Sequence, residues 1–220
     1  MIDREANSTE RIAGKQLLQV CHNLRNPISQ IYTASTIGLQ LAEGNDELQK
    51  MFEIVMNASR LFADTITTLE KRAQYEEQVL PDRFDIISFL RQQILFFDFD
   101  ERMRYRTKCE QYHGCEELFV SAVPSDMLLI ITNILHFLLA RSAASEENHL
   151  KITTRSDAAM FFVEFIHTSQ SKNNRRLNNQ SQNELLRDLS PFLSQNHSHL
   201  RIENISDDAV KLEFGIPLAG

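Results

Sequence analysis

The residues able to do chemistry concentrate in one short stretch of this 220-residue chain, Cys21-His22-Asn23-Leu24-Arg25-Asn26-Pro27-Ile28. His22 is the candidate nucleophile. An imidazole in water titrates at about pH 6.5, so near neutrality much of it carries a free ring-nitrogen lone pair. Around it, Leu17, Val20, Leu24, Ile28, Ile31 and Ser35 are spaced 3, 4, 4, 3 and 4 apart, one face of a helix. On that wheel His22 falls roughly opposite Val20 and Leu24, so it faces solvent. Asn26 follows one turn later on the same side, with Ser29 close by. Pro27 removes the hydrogen bond to the carbonyl of Asn23 and is expected to bend the helix. The wheel alone leaves a blander alternative open, a surface histidine beside a tolerated kink.

Other constellations carry less. Cys109, His113 and Cys115 form C-x3-H-x-C, but no fourth ligand follows at a usual spacing, so ordinary strand and loop residues are the simpler reading. Lys172, Arg175 and Arg176 read as a solvated loop before they read as an anion site. Asp98, Asp100 and Glu101 read as a charged turn before a cation site. Cys21 borders the helix core; the competing reading is a thiol acidified by its neighbour His22.

The elements that must position His22 are helices. The first runs from about Ser8 to Ala42, and Gly44, Asn45 and Asp46 give a turn signal. In the second, Leu48, Met51, Val55, Ala58, Phe62, Thr65 and Leu69 are spaced alternately 3 and 4, a heptad seam. Ile54, Leu61 and Ile66 widen the stripe. One hairpin cannot cover that much apolar surface, whereas two hairpins packed as a four-helix bundle can. A homodimer is therefore expected; the alternative is a hairpin docked on the remainder of its own chain.

Pro81 ends the helical region. Beyond it, Ile86–Phe97 reads as a helix and Tyr105–Gln111 and Leu118–Val123 as strands. Pro124 and Ser125 open an apolar helix reaching about Arg141. Leu150–Arg155 and Met160–Ile166 read as strands, 167–183 as a polar loop and Glu184–Leu193 as a short helix. Leu200–Ile205 and Val210–Ile216 close the chain as a hairpin turning near Asp207 and Asp208. The expected fold class is α+β, with residues 1–79 a helical hairpin and residues 80–220 an α/β sandwich.

Composition narrows the function. Lys plus Arg is 23 against 30 Asp plus Glu, a net charge of −7. That disfavours sequence-independent nucleic-acid binding and anionic membrane surfaces. Three irregularly spaced cysteines are no disulfide framework, and the polar start MIDREANSTE is no signal peptide. The longest apolar stretch, Leu128–Ala140, is interrupted by Thr132, Asn133 and His136, far short of the ~20 residues of a spanning helix. A cytoplasmic protein is expected. Gly114 and Gly215 bracket 100 residues without a glycine, where average usage of about 7% would place about seven. Neither GxGxxG nor GxxxxGK[ST] occurs, so a phosphate-cradling loop in the C-terminal half is not expected.

The run HNLRNPIS, followed by a second amphipathic helix, resembles the H-box of two-component sensor histidine kinases. The resemblance extends from AGKQLLQVC to the helix ending near Gln78. It implies that His22 is the phosphoacceptor, that Arg25 belongs to the catalytic motif, and that Asn26 positions a water for dephosphorylating a partner receiver. Asn23 stands where the family usually has an acidic residue that accepts the imidazole proton during attack on ATP. Asn cannot be that base.

The back of the chain resembles the family's ATP-binding domain. RFDIISFLRQQIL resembles its opening strand and helix, VPSDMLLIITNILHFLLARSA its N-box helix, and VKLEFGIPLAG its final strand. In the N-box, Asp126 and Asn133 stand in familiar places, but Phe137 replaces the asparagine that binds magnesium. An apolar ring cannot coordinate a hard cation. His167-Thr168-Ser169-Gln170-Ser171 stands where an Asp-x-Gly-x-Gly segment contacts adenine, and KNNRRLNNQSQN replaces the glycine-rich lid.

These departures point to a dimeric histidine phosphotransferase resembling a histidine kinase with a degenerate ATP site. The chain is expected to pass phosphoryl groups between receiver aspartates through His22. It would bind no cofactor or metal itself, with magnesium supplied by the response-regulator receiver. The alternatives are a sensor kinase core that autophosphorylates with ATP, a non-catalytic pseudokinase module, and a phosphatase-only partner using Asn26.

Overall fold

The structure is a computed structural model that describes residues 3–97, 100–140, 148–169, 179–206 and 208–219. The chain divides into two compact units, Met1–Glu77 and Gln78–Gly220.

The first unit is an antiparallel helical hairpin of α1 (Asp3–Leu41) and α2 (Asp46–Glu77). Pro27 lies inside α1, which continues through it. The turn forms where the sequence changes chemistry. Gly44 adopts φ +85°, a conformation glycine takes without steric cost. Asn45 Oδ1 then accepts from the Leu48 amide at 3.2 Å and caps α2. Asp46 and Glu47 in the first turn complement the positive helix end.

The seam joining the two helices differs from the expected one. On the α1 side it runs through Cys21, Ile28 and Ser35 to Ala42 just past the helix, all at least half-buried; on α2 it runs through Phe52, Ser59, Ile66 and Ala73. Both rows repeat every seventh residue. The Phe52 ring lies against Gly38, where the missing side chain makes room for it. Ile28 and Ser35 of the expected face are in it, but most of the larger residues assigned to the seam are outside it. Val20, Leu24, Ile31, Leu48, Met51, Val55 and Phe62 are exposed, Met51 and Phe62 by 62% and 61%. Small residues allow close approach of two backbones, and a single neighbouring helix covers only one stripe.

The second unit is α+β. Its elements are β1 (Asp82–Asp85), α3 (Ile86–Phe97), α4 (Glu101–Arg106), β2 (Thr107–His113), β3 (Phe119–Ala122) and α5 (Pro124–Leu139). They continue with β4 (Asn148–Ser156), β5 (Met160–Ser169), α6 (Asn179–Gln195), β6 (His199–Asn204) and β7 (Ala209–Pro217). The main sheet has five strands in the order β2-β4-β5-β7-β6; β2 and β4 are parallel and the other neighbours antiparallel. A second sheet pairs β1 with β3, and Val120 bridges to Leu218 beyond β7.

Each start has a local cause. Asp85 accepts from the amides of Ile87 and Ser88 and so caps α3; it also accepts from the Leu118 amide, tying that helix start to β3. Pro124 occupies the first position of α5, where its missing N–H costs nothing. The core lies between the helices and one sheet face. Leu150 and Ile152, Phe161, Val163 and Phe165, and Val210, Leu212, Phe214 and Ile216 alternate inward against Phe89, Ile131 and Leu135.

Several elements depart from expectation. β5 runs on to Ser169, so 167–169 are strand rather than loop, because His167 and Ser169 continue the inward alternation although they are polar. α6 begins at Asn179 rather than Glu184. Its polar residues lie on the exposed side, while Leu185, Leu189 and Leu193 bury at every fourth position. α4 was not expected at all; it takes up Tyr105 and Arg106, so the strand after it starts two residues late, at Thr107. Of the KNNRRLNNQSQN stretch at the lid position, 179–183 form the start of α6, and 172–178, with Lys172, Arg175 and Arg176, lie outside the described residues, as do Asp98 and Asp207.

Candidate functional site

His22 lies on α1 with its side chain exposed. It borders an open cleft of about 620 Å³ within the hairpin, lined by Leu18, Gln19 and His22 from α1 and Glu70, Gln74 and Glu77 from α2. The α1 residues come together because Leu18 and His22 are one turn apart. The α2 residues do so because spacings of 4 and 3 place them on one helix face. The cleft is acidic on its α2 side.

The remaining candidates sit around it. Asn26, one turn beyond His22, is exposed. Arg25 is ion-paired across the hairpin, its Nη2 donating to Glu70 Oε2. Asn23 Oδ1 accepts from Gln19 Nε2 at 3.4 Å along the helix. Cys21 faces the other way, 1% exposed in the interhelical seam. Burial pushes its thiol pKa up and the Glu70 carboxylate pushes it further, with Arg25 pulling the opposite way. The acidified-thiol reading is therefore corrected. A thiol inside the seam, beside a carboxylate, is held protonated.

The sequence singled out His22, Arg25 and Asn26; Glu70, Gln74 and Glu77, which share the cleft with His22, it did not. Their 4 and 3 spacing was legible on the polar side of α2. What the sequence lacked was the register that places this row beside His22 rather than beside another turn of α1.

In the second unit, Asn133 is exposed on α5 and its Nδ2 donates to the Leu129 carbonyl at 2.8 Å. Phe137 is half-buried one turn later. Asp126 lies in the first turn of α5 and accepts from Asn196 Nδ2 at 2.8 Å. Burial raises its pKa and the Asn196 hydrogen bond partly offsets that. His167 and Ser169 are each 1% exposed in β5, whose end pairs with β4 through Ser169 and Asn148 and with β7 through Thr168 and Ala209.

Cys109, His113 and Cys115 do not assemble a metal centre. Among the described residues no group of three His, Cys, Asp or Glu side chains is placed to hold an ion. His113 contacts Gln111 Oε1 at 3.3 Å instead, and burial lowers its pKa, with Arg91 adding to the shift. No described helix is long and apolar enough to cross a membrane.

The architecture has solved counterparts. The nucleotide-free catalytic domain of histidine kinase ThkA superposes with a TM-score of 0.52 at 14% identity, covering 63% of this chain and 95% of that one. The histidine kinase AdeS of Acinetobacter baumannii gives 0.50 at 12% identity, covering 90% of this chain and 98% of that chain. ThkA in complex with the response regulator protein TrrA gives 0.51 at 17% identity, over 100% of this chain and 67% of that one. No protein-family model and no curated protein matches the sequence. The chain therefore has the histidine-kinase fold, a helical hairpin followed by the ATPase-type α/β unit, at an identity where likeness speaks for fold alone.

Proposed function

We propose that this chain is a dimeric histidine phosphotransfer protein of a two-component phosphorelay, passing phosphoryl groups between receiver aspartates through His22 without using ATP. The observation that carries the reading is His22 itself, exposed at the rim of an open cleft, with Asn26 one turn along and Asn23 in place of an acidic neighbour.

The transfer balances without a base on this chain. A free ring nitrogen of His22 attacks phosphorus, the P–O bond to the receiver's aspartate breaks, and the electron pair leaves with the carboxylate. The other ring nitrogen keeps its proton or yields it to water. The second transfer runs the same bond changes in reverse onto another aspartate. The receiver supplies the divalent cation that neutralises the moving charge, and this chain supplies orientation and access. Asn26 is assigned to orient a water when the phosphoryl group is lost to hydrolysis.

The second unit supports the ATP-free part of the reading. Its side chains do not suit a magnesium nucleotide. Phe137 offers no oxygen for a hard cation. His167, at the position of the adenine-contacting Asp, cannot present a carboxylate. No glycine between Gly114 and Gly215 lets backbone approach phosphate. The unit is assigned as a scaffold and docking surface for the receiver, a partner class supported by the ThkA complex with a response regulator.

The homodimer is supported by the uncovered row of Val20, Leu24, Ile31, Leu48, Met51, Val55 and Phe62. A second hairpin laid on that row completes a four-helix bundle and removes it from water.

The test uses a receiver domain phosphorylated by acetyl phosphate with magnesium, mixed with the chain and with its His22→Gln variant. Label should move from the receiver to the wild-type chain and not to the variant. Calorimetric titration with Mg-ATP should show no binding up to millimolar nucleotide. Micromolar Mg-ATP binding with labelling of His22 would replace this reading by an ATP-dependent kinase. No label from either donor would leave a non-catalytic module.

A further inference from the structure

The Arg25–Glu70 ion pair joins α1 to α2 at the cleft that holds His22. Three observations converge there. Arg25 is three residues after His22, so the two side chains are neighbours on the helix surface. Glu70 lines the same cleft as His22. The pair is intermediate in exposure, 48% for the Arg25 side chain and 20% for that of Glu70.

A guanidinium is the side chain best shaped to hold phosphoryl oxygens, through two parallel N–H donors. Here the guanidinium nearest in sequence to His22 is already held by a carboxylate. A phosphoryl group on His22 brings a charge of about −1.5 to −2 to the same cleft. The α2 wall opposite it carries Glu70 and Glu77. Two anions then compete for one guanidinium.

We propose that Glu70 is a positioning residue that holds Arg25 at the His22 cleft in the resting protein and yields it to the phosphoryl group once His22 is phosphorylated. The inference rests on His22 being the phosphoacceptor. Its consequence is a limit on how stable phosphohistidine becomes. Part of what Arg25 contributes to the phosphorylated state is spent on releasing Glu70. The phosphoryl group thus stays easy to pass on, which suits a carrier between two receivers.

The experiment needs no receiver. Phosphoramidate phosphorylates exposed histidine directly; its P–N bond breaks and ammonia leaves as the bond to the ring nitrogen forms. At fixed phosphoramidate and ammonium, phosphorus NMR gives the ratio of phosphorylated to free His22 at equilibrium in the full chain. The variants are Glu70→Gln, Arg25→Ala and the double variant, with Glu70→Ala as a second removal of the carboxylate and His22→Gln as the site control. Circular dichroism checks that each retains the helical hairpin.

Glu70→Gln and Glu70→Ala should each raise the ratio about two- to fivefold, the range a partly exposed ion pair commands. Arg25→Ala should lower it. In the Arg25→Ala background, Glu70→Gln should change nothing. The Arg25 Nε–Hε resonance should move both on Glu70→Gln and on phosphorylation of the wild type. A rise of equal size in the Arg25→Ala background would mean simple repulsion by Glu70 and overturn the proposal, as would no rise at all. If phosphoramidate leaves His22 unmodified in wild type, the phosphoacceptor reading fails first and this inference falls with it.

Discussion

Asn196, at the C-terminal end of α6, donates from Nδ2 to Asp126 Oδ2 in the first turn of α5, 70 residues earlier in sequence, at 2.8 Å. The same side chain accepts the Val123 amide at 2.7 Å and donates to the Phe192 carbonyl at 2.8 Å. One buried amide therefore satisfies the start of α5 and the end of α6 together. That side chain ties α5 to α6.

Replacing Asn196 by Ala leaves the Val123 amide and the Asp126 carboxylate buried without this partner. The expected loss is about 2–3 kcal/mol, since stranded buried polar groups cost more than a hydrogen bond contributes. Urea unfolding followed by circular dichroism checks it. A midpoint unchanged from wild type would refute the clamp.

Asp126 also sets a pH dependence. Burial raises its folded-state pKa above the unfolded value, so folding favours the protonated form. This contribution to stability is fully present below the unfolded pKa and is lost as pH rises through the raised folded pKa. Asp126→Asn keeps the shape and an oxygen acceptor for Asn196 without the charge. Relative to wild type it should gain stability as pH rises from about 4 toward neutrality. Thermal unfolding of both proteins across that range is the measurement, and parallel curves would contradict the assignment.

The apolar row on the hairpin predicts the association state. Ile31→Glu combined with Phe62→Glu places charge on residues that are already exposed in the single chain. Each hairpin should keep its helicity, while sedimentation velocity should show the wild-type dimer giving way to monomer. A wild type that sediments as a monomer would remove the bundle.

Cys21 should react slowly with iodoacetamide in the native protein. It is buried in the seam, and burial and Glu70 both disfavour its thiolate. Glu70→Gln removes the second of these causes, so alkylation measured at one pH should quicken modestly. Cys109 and Cys115, half-buried in the other unit, serve as internal references for the reagent.

Much of this protein was legible one element at a time. The spacing of apolar residues gave the hairpin and α3 with their ends nearly in place. Pro124 marked the start of α5, and the motif around His22 named His22, Arg25 and Asn26. Local signals sufficed because helix periodicity, proline and turn residues act within a few positions. Composition misled at Ser169 and Asn179, where buried polar side chains in β5 and a one-sided α6 both looked like loop.

Only the tertiary structure decided which row of each helix meets the other. Two rows at heptad spacing, Cys21 to Ala42 and Phe52 to Ala73, small residues interleaved with Ile28, Phe52 and Ile66, form the intramolecular seam and leave the row of Val20, Leu24, Ile31, Leu48, Met51, Val55 and Phe62 outside. The sequence shows two rows at heptad spacing but not which of them a neighbour covers, because close backbone approach can favour a row that mixes small side chains with a few large ones over a row of uniformly large ones. That same register sets Glu70, Gln74 and Glu77 beside His22. That residues 22 and 70 line one cleft is a property of how two helices align, and no local pattern in either helix encodes it.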